Sequence, residues 1–131
     1  MPDEEERVND PPPIDPSVLT ALLSSLGDRA PVAEAHLIDA YLDELPLVAA
    51  ALREALESDD RESLHRAVHT LKSSSANMGA LRLSQLCGDL EDRSRDAIPA
   101  EAAESARHII DECERVERAF AARRREAPGP G

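Results

Sequence analysis

Apolar residues recur along the chain at the three- and four-residue steps of amphipathic helices. Asp15 followed by Pro16 predicts an N-cap and a first helical position, and Gly27 predicts the end of that short helix. Pro31 predicts the start of a longer second helix, in which Pro46 predicts a kink or two abutting helices. The apolar stripe of this second helix is Ile38, Leu42, Leu45, Ala49, Leu52 and Leu56.

Three further helices follow in the pattern. Asp59, with Glu62 three residues later, resembles a capping box and predicts the start of a third helix. Gly79 is predicted to end this helix and to have a structural role. A fourth helix lies within 81–97, and Pro99 opens a fifth. The three apolar stripes are Leu64, Val68, Leu71, Ser75 and Met78; Leu83, Leu86, Cys87 and Leu90; and Ala102, Ala106, Ile109, Cys113, Val116 and Phe120.

These elements predict an all-α fold, an antiparallel up-and-down four-helix bundle with a short extra N-terminal helix. Leucine (16) and alanine (21) exceed a quarter of the 131 residues, which favours helices over strands. We expect a disordered acidic tail at 1–13, the bundle at 14–125 and a frayed C-terminal tail at 126–131. The initial Met and both polar ends favour a complete chain.

The formal net charge of −12 argues against nucleic acid and anionic membranes as partners, since both attract basic surfaces. The chain start has neither a basic region nor an apolar region typical of a secretory signal, and no apolar run is long enough to span a membrane. Cys87 and Cys113 are too few for a disulfide framework and are predicted to be buried small side chains. We therefore expect a cytoplasmic monomer.

The third helix is unusual in its chemistry. Helical spacing puts one strip of side chains beside the core stripe and turned outward: His65, His69, Lys72, Ser73 and Ala76. Within 61–77 the basic residues are Arg61, Arg66 and Lys72, against the single acid Glu62. Lys72 is also the only lysine in the chain, beside 14 arginines. A positive strip on an acidic protein suits a site that accepts negative charge near a histidine.

The segment from His69 to Ala80, His-Thr-Leu-Lys-Ser-Ser-Ser-Ala-Asn-Met-Gly-Ala, resembles the signature of histidine phosphotransfer (HPt) domains. The family pattern is His-x-Leu-Lys-Gly-Ser-Ser/Ala, followed after a few residues by Gly-Ala. The resemblance continues through the leucine-rich next helix to Leu90-Glu91 and covers about 32–96. The chain departs from the pattern at Ser73, where the family usually has glycine.

The resemblance implies a phosphoryl carrier without kinase activity of its own. His69 would accept a phosphoryl group from the phospho-aspartate of a receiver domain and pass it to another receiver. Lys72 would bring an ammonium group near the phosphoryl oxygens, while Ser73 would affect access or donate a hydrogen bond. The implied partners are response-regulator receiver domains and a hybrid sensor histidine kinase. No cofactor is expected, and Mg²⁺ would belong to the receiver.

Glu91 can also be placed from helix geometry. His69 lies ten residues before Gly79 and Glu91 twelve after it, which is roughly 15 and 18 Å from the turn at 1.5 Å per residue. Glu91 is therefore nearly level with His69 and can accept a hydrogen bond from the imidazole, fixing its tautomer. A receiver-docking strip is predicted at His65, Arg66 and Ala76.

Two other functions fit parts of the pattern. One is a non-phosphorylated helical adaptor that kept the fold and scaffolds or inhibits a signalling partner. The other is a metal site, because His65 and His69 have the i, i+4 spacing of a zinc-binding pair. No third ligand is evident for that pair, so no metal site is predicted.

Overall fold

A computed structural model describes residues 12–126. Within that range the chain forms only helices: α1 (Pro16–Leu23), a 3-10 helix (Ser24–Arg29), α2 (Ala30–Glu57), α3 (Arg61–Met78), α4 (Leu81–Arg93) and α5 (Ala102–Glu126). The helix α3 packs between α2 and α4, α5 packs on the other side of both, and α1 lies on α2 and α3. This arrangement confirms the predicted four-helix bundle with a short N-terminal helix.

The two ends of the helical region differ slightly from the prediction. Residues 1–11 of the predicted acidic tail and 127–131 of the predicted C-terminal tail lie outside the described residues. Helix α5 continues through Glu126, one residue beyond the predicted end of the bundle. At the other end, α1 begins as predicted, with the Asp15 carboxylate accepting a hydrogen bond of 3.0 Å from the Ser17 backbone N–H.

Prolines and glycines shape the first half of the chain in ways the pattern predicted only in part. Helix α2 runs unbroken for 28 residues through Pro46, so the alternative of two abutting helices is wrong. Pro46 is on the exposed side of α2, where water can satisfy the backbone carbonyl that loses its partner. The first helix ends at Leu23, earlier than predicted, and Gly27 lies in the following 3-10 segment with a φ of 53°.

The start of α3 requires a correction of one residue. The N-cap is Asp60, whose carboxylate accepts hydrogen bonds from the backbone N–H and the hydroxyl of Ser63, at 3.1 and 2.7 Å. Asp59, the predicted cap, instead takes a left-handed backbone conformation with a φ of 52° in the turn after α2. Either aspartate can cap a helix, and the turn geometry selects Asp60 although only Asp59 has a glutamate three residues later.

Gly79 ends α3 as predicted and also anchors α1. Its φ of 83° is the left-handed conformation of a helix C-cap. The backbone N–H of Asp15 donates to the Gly79 carbonyl at 2.8 Å. A Cβ atom on Gly79 would lie only 2.5 Å from the Asp15 carbonyl oxygen. The tight α3–α4 turn and the docking of α1 therefore both depend on glycine at this position.

The core lies between all five helices and follows the predicted stripes. The stripe residues of α3 and α5 are all buried, whereas Leu42, Leu56 and Leu86 are only partly buried. Tyr41, which the stripe of α2 omits, is buried with its hydroxyl 2.7 Å from the Ser75 hydroxyl and its ring edge-on to Phe120. Cys87 and Cys113 are buried free thiols whose pKa values are raised by that burial, that of Cys113 to about 12.

We expect Gly79→Ala to lower the free energy of unfolding by about 3 kcal/mol, because it adds a clash with Asp15 to the cost of a left-handed alanine. Gly27→Ala is the matched control, since Gly27 also has a positive φ but nothing within 4 Å of its Cβ position. That control should lose about 2 kcal/mol, the backbone cost alone of alanine at a φ of 53° and a ψ of −123°. Urea denaturation followed by circular dichroism measures both values, and equal losses would contradict the role of the Asp15 contact.

Candidate functional site

His69 lies in the middle of α3 and faces outward. Its neighbours Val68 and Leu71 are buried in the core, so the helical rotation turns His69 away from it. The His69 side chain is 60% exposed. Ser73 and Ala76, one and two turns later, are also exposed. These two small side chains leave the imidazole accessible from outside the bundle.

Glu91 of α4 reaches across to the same place. The buried residues Cys87 and Leu90 fix the inner face of α4 and set Glu91 at the flank that faces α3. The side chain of Glu91 is only 10% exposed. One of its oxygens, Oε2, is hydrogen bonded to Nδ1 of His69, and the other, Oε1, lies 2.5 Å from Nζ of Lys72. A single carboxylate therefore joins the histidine and the lysine of α3.

The charge of Glu91 determines the tautomer of His69. Hydrogen bonds from Lys72, and secondarily from His69, hold the pKa of Glu91 below its ordinary value despite its burial. The carboxylate is thus ionised at neutral pH and becomes protonated only at a pH below the ordinary range of glutamate pKa values. An ionised carboxylate only accepts hydrogen bonds, so Nδ1 of His69 carries the proton. In the neutral imidazole the lone pair is then on Nε2, which has no hydrogen-bond partner within residues 12–126.

Lys72 is positioned by contacts with α4 as well as by α3. Its amine is on Glu91, and its carbon stem passes Gly88, where a Cβ atom would lie 3.4 Å from Cδ of Lys72. The hydroxyl of Ser84 donates to the backbone carbonyl of Lys72 at 2.9 Å. Gly88 and Ser84 were not among the predicted site residues, because their role depends on the packing of α4 against α3.

The remaining predicted residues divide between two flanks of α3. His65 lines a depression of about 440 Å³ on the α4 side, here called the polar pocket. Arg66 lines a depression of about 300 Å³ on the α2 side, here called the apolar groove. Ala76 lines neither of them, and Ser73 makes no hydrogen bond within the described residues. Two members of the predicted docking strip, His65 and Arg66, thus lie at two different surfaces on either side of α3.

The two surfaces have opposite chemical character. The polar pocket is lined by Arg61, His65, Lys72, Glu91, Asp92 and Arg95. The apolar groove is lined by Leu47, Val48, Ala51, Ser63, Arg66, Ala67 and Thr70. Leu47 is 72% exposed, the highest value of any large apolar side chain in the described part of the chain. A partner that covers His69 can therefore contact an apolar surface on one side and a charged surface on the other.

Two features are absent from residues 12–126, a cluster of metal-ligating side chains and a membrane-spanning helix. No group of three histidine, cysteine or acidic side chains in this range is arranged to hold a metal ion, so His65 and His69 lack a third ligand here. None of the helices in the same range is both long and apolar enough to cross a bilayer.

Known proteins share this fold. HptB, a histidine-containing phosphotransfer protein from Pseudomonas aeruginosa PAO1, has 27% sequence identity and a TM-score of 0.79, over 91% of this chain and 100% of that protein. The HPT domain of a sensor hybrid histidine kinase from Shewanella shares the fold, with 18% identity and a TM-score of 0.75 over 88% and 97% of the two chains.

A curated relative, multistep phosphorelay regulator 1 of Schizosaccharomyces pombe, is 30% identical over 99 residues. The match covers 72% of this chain, and the chain spans about a third (34%) of the length of that relative. The family model described as the Hpt domain matches residues 36–126, which include His69, Lys72 and Glu91. Since this match covers more than half of the sequence, the chain belongs to the Hpt domain family, as its motif predicted.

Proposed function

We propose that the chain is a phosphorelay intermediate in which Nε2 of His69 accepts a phosphoryl group from the phospho-aspartate of a receiver domain and passes it to another receiver. The observation that supports this most directly is the hydrogen bond from the exposed imidazole of His69 to the buried, ionised carboxylate of Glu91. With its one proton on Nδ1, the neutral imidazole has its lone pair on Nε2, open to a partner as a phosphoryl acceptor requires.

The transfer needs no proton movement at His69. The lone pair of Nε2 forms the N–P bond while the P–O bond to the aspartate breaks, and the aspartate leaves as a carboxylate with that electron pair. The ring keeps its Nδ1 proton and gains a positive charge, which the adjacent carboxylate of Glu91 stabilises. The return transfer to a second aspartate reverses these steps, so the same contact serves both directions.

Lys72 has two parts in this proposal. Its ammonium group holds Oε1 of Glu91, which keeps Oε2 available for the imidazole of His69. The same group lies one helical turn after His69 and is 38% exposed, so it supplies a cation beside the incoming phosphoryl oxygens. The exposed hydroxyl of Ser73 offers a further donor without obstructing Nε2.

The partners follow from the surfaces around His69. A receiver domain would place an apolar helix face in the apolar groove, because the exposed Leu47 gains most from being covered. The hybrid sensor histidine kinase would supply phosphate through such a receiver, and the catalytic Mg²⁺ would belong to the receiver. In this proposal the chain acts in the cytoplasm, as a monomer, and as a carrier without kinase activity.

Replacing the acceptor should abolish the transfer. We expect radiolabelled phosphate from a phosphorylated receiver to appear on the wild-type chain, stable to base and labile to acid, and to be absent from His69→Gln. His108→Gln is the matched control, since it changes an exposed histidine on α5, which does not pack against α3, and should retain the label. Equal labelling of wild type and His69→Gln would refute the proposal. Receiver binding by an unlabelled wild type would support the adaptor instead.

Removing the orienting carboxylate should slow the transfer without abolishing it. We expect Glu91→Ala to lower the rate about tenfold, the effect of losing a charge-assisted hydrogen bond of about 1.4 kcal/mol. Glu91→Gln keeps a hydrogen-bond acceptor but loses the negative charge, so its transfer rate should lie between those of wild type and Glu91→Ala. Asp89→Ala, an exposed acid on the same helix, is the control.

Nitrogen-15 NMR at pH 8 distinguishes this positioning role of Glu91 from a loss of structure. The wild-type imidazole should show a proton predominantly on Nδ1, and Glu91→Ala should shift the population toward Nε2–H. An unchanged tautomer in Glu91→Ala would contradict the role, whatever the rate.

The affinity for a receiver domain should depend on the apolar side chains that line the apolar groove. We expect Leu47→Glu to weaken the affinity for a receiver about tenfold, because a charge would be buried against the partner helix. Leu81→Glu is the matched control, since Leu81 is an exposed leucine (44%) at the start of α4, outside the groove. Isothermal titration calorimetry measures both affinities. Comparable losses in the two variants would exclude a specific role for the groove.

A further inference from the structure

The polar pocket has a chemistry that the acceptor site does not account for. It lies between the first half of α3 and the end of α4, next to the Lys72–Glu91 pair but extending away from it to Arg61, Asp92 and Arg95. Of these three residues, only Arg61 was noted from the sequence, as part of the positive charge of α3. The pocket becomes visible only when α4 is packed beside α3.

The charges in this pocket do not balance. Both carboxylates are already paired: Glu91 binds His69 and Lys72, and Asp92 accepts a hydrogen bond of 3.2 Å from Arg95. Arg61, by contrast, donates to the neutral backbone carbonyl of Ser94 at 2.9 Å and forms no ion pair within residues 12–126. The pocket thus holds three cationic side chains against two carboxylates.

An unused imidazole and a rigid guanidinium complete the pocket. His65 is half-buried there and forms no hydrogen bond or ion pair within the described residues. The bond to Ser94 fixes the guanidinium of Arg61 at one of its terminal nitrogens and leaves its other N–H groups free to donate. Arg95 and Asp92 are each about 70% exposed, so their contact is weak and Arg95 can turn to another acceptor.

This local excess of positive charge is opposite in sign to the net charge of the molecule. The chain as a whole carries −12, so an acidic partner is repelled by most of its surface. Only a partner that directs its negative group into the pocket meets an uncompensated guanidinium there. Since the pocket adjoins the residues that hold His69, such a partner is also placed over the acceptor nitrogen.

We propose that the polar pocket receives an acidic side chain of the receiver domain that docks over His69, and that this contact selects among receivers. The inference rests on the proposed function and adds to it a residue-level basis for partner choice. The carboxylate of the receiver accepts hydrogen bonds from Arg61 and from Arg95, and Arg95 gives up its contact with Asp92 to do so. The imidazole of His65 supplies a further N–H. A receiver with no acid at this place loses that contact while keeping the apolar one.

The experiment compares Arg95→Glu with Arg107→Glu. Both variants change the net charge by the same amount, but Arg107 is exposed on α5, a helix that makes no contact with α3. Receivers from the same genome are phosphorylated and mixed with each variant, and the second-order transfer rate is measured at 50 mM and 500 mM salt. Receiver affinity is measured separately by isothermal titration calorimetry, with both proteins unphosphorylated.

We expect Arg95→Glu to lower both the rate and the affinity about tenfold at low salt for the preferred receiver, and about twofold at high salt, where the charge is screened. Arg107→Glu should change either quantity less than twofold. The hydrolysis rate of phosphorylated His69 should be the same in both variants, because Arg95 does not touch the imidazole.

Two results would overturn the inference. Equal effects of Arg95→Glu and Arg107→Glu would show that only net charge matters. Saturable binding of inorganic phosphate that Arg95→Glu removes, with receiver affinity unchanged, would assign the pocket to a small anion instead. The affinity measurement tests the polar pocket independently of phosphoryl transfer. If His69 takes up no label, only the transfer function is refuted, and the receiver affinities still decide the role of the pocket.

Discussion

The site depends on one carboxylate shared by two side chains of another helix. Glu91 uses Oε2 for the imidazole of His69 and Oε1 for the ammonium of Lys72, so neither oxygen is left without a partner. A buried carboxylate that lost one of these contacts would incur a desolvation cost without compensation. The orientation of the His69 imidazole and the ionisation of Glu91 are therefore maintained by the same three groups.

The bundle supplies the precision that this sharing requires. His69 and Glu91 are 22 residues apart in sequence and meet only because α3 and α4 run antiparallel from a two-residue turn. That turn needs Gly79 in a left-handed conformation, and the carbonyl of Gly79 in turn holds the start of α1. Ser84 then ties α4 to the backbone of Lys72. A longer or looser turn would shift Glu91 along α3 and separate it from the imidazole.

Sequence reasoning succeeded where one helix or one short turn decides the outcome. The core stripes of α3 and α5, and the level of Glu91 relative to His69, follow from helical periodicity and a rise of 1.5 Å per residue. Sequence reasoning placed the N-cap of α3 at Asp59 in place of Asp60, because the geometry of the preceding turn decides between two adjacent aspartates. It also missed Gly88 and Arg95, because their surroundings are created by contacts between α3 and α4 that no single-helix pattern encodes.

The single lysine of the chain has a physical explanation at this carboxylate. All fourteen other basic residues are arginine, whose planar guanidinium favours binding both oxygens of a carboxylate at once. At position 72 such a pairing would compete with His69 for Oε2. The compact ammonium of Lys72 instead occupies Oε1 alone, with its stem passing beside Gly88, and leaves Oε2 to the imidazole. A chain that otherwise uses arginine thus has a lysine where a point charge, and not a fork, is compatible with the shared carboxylate.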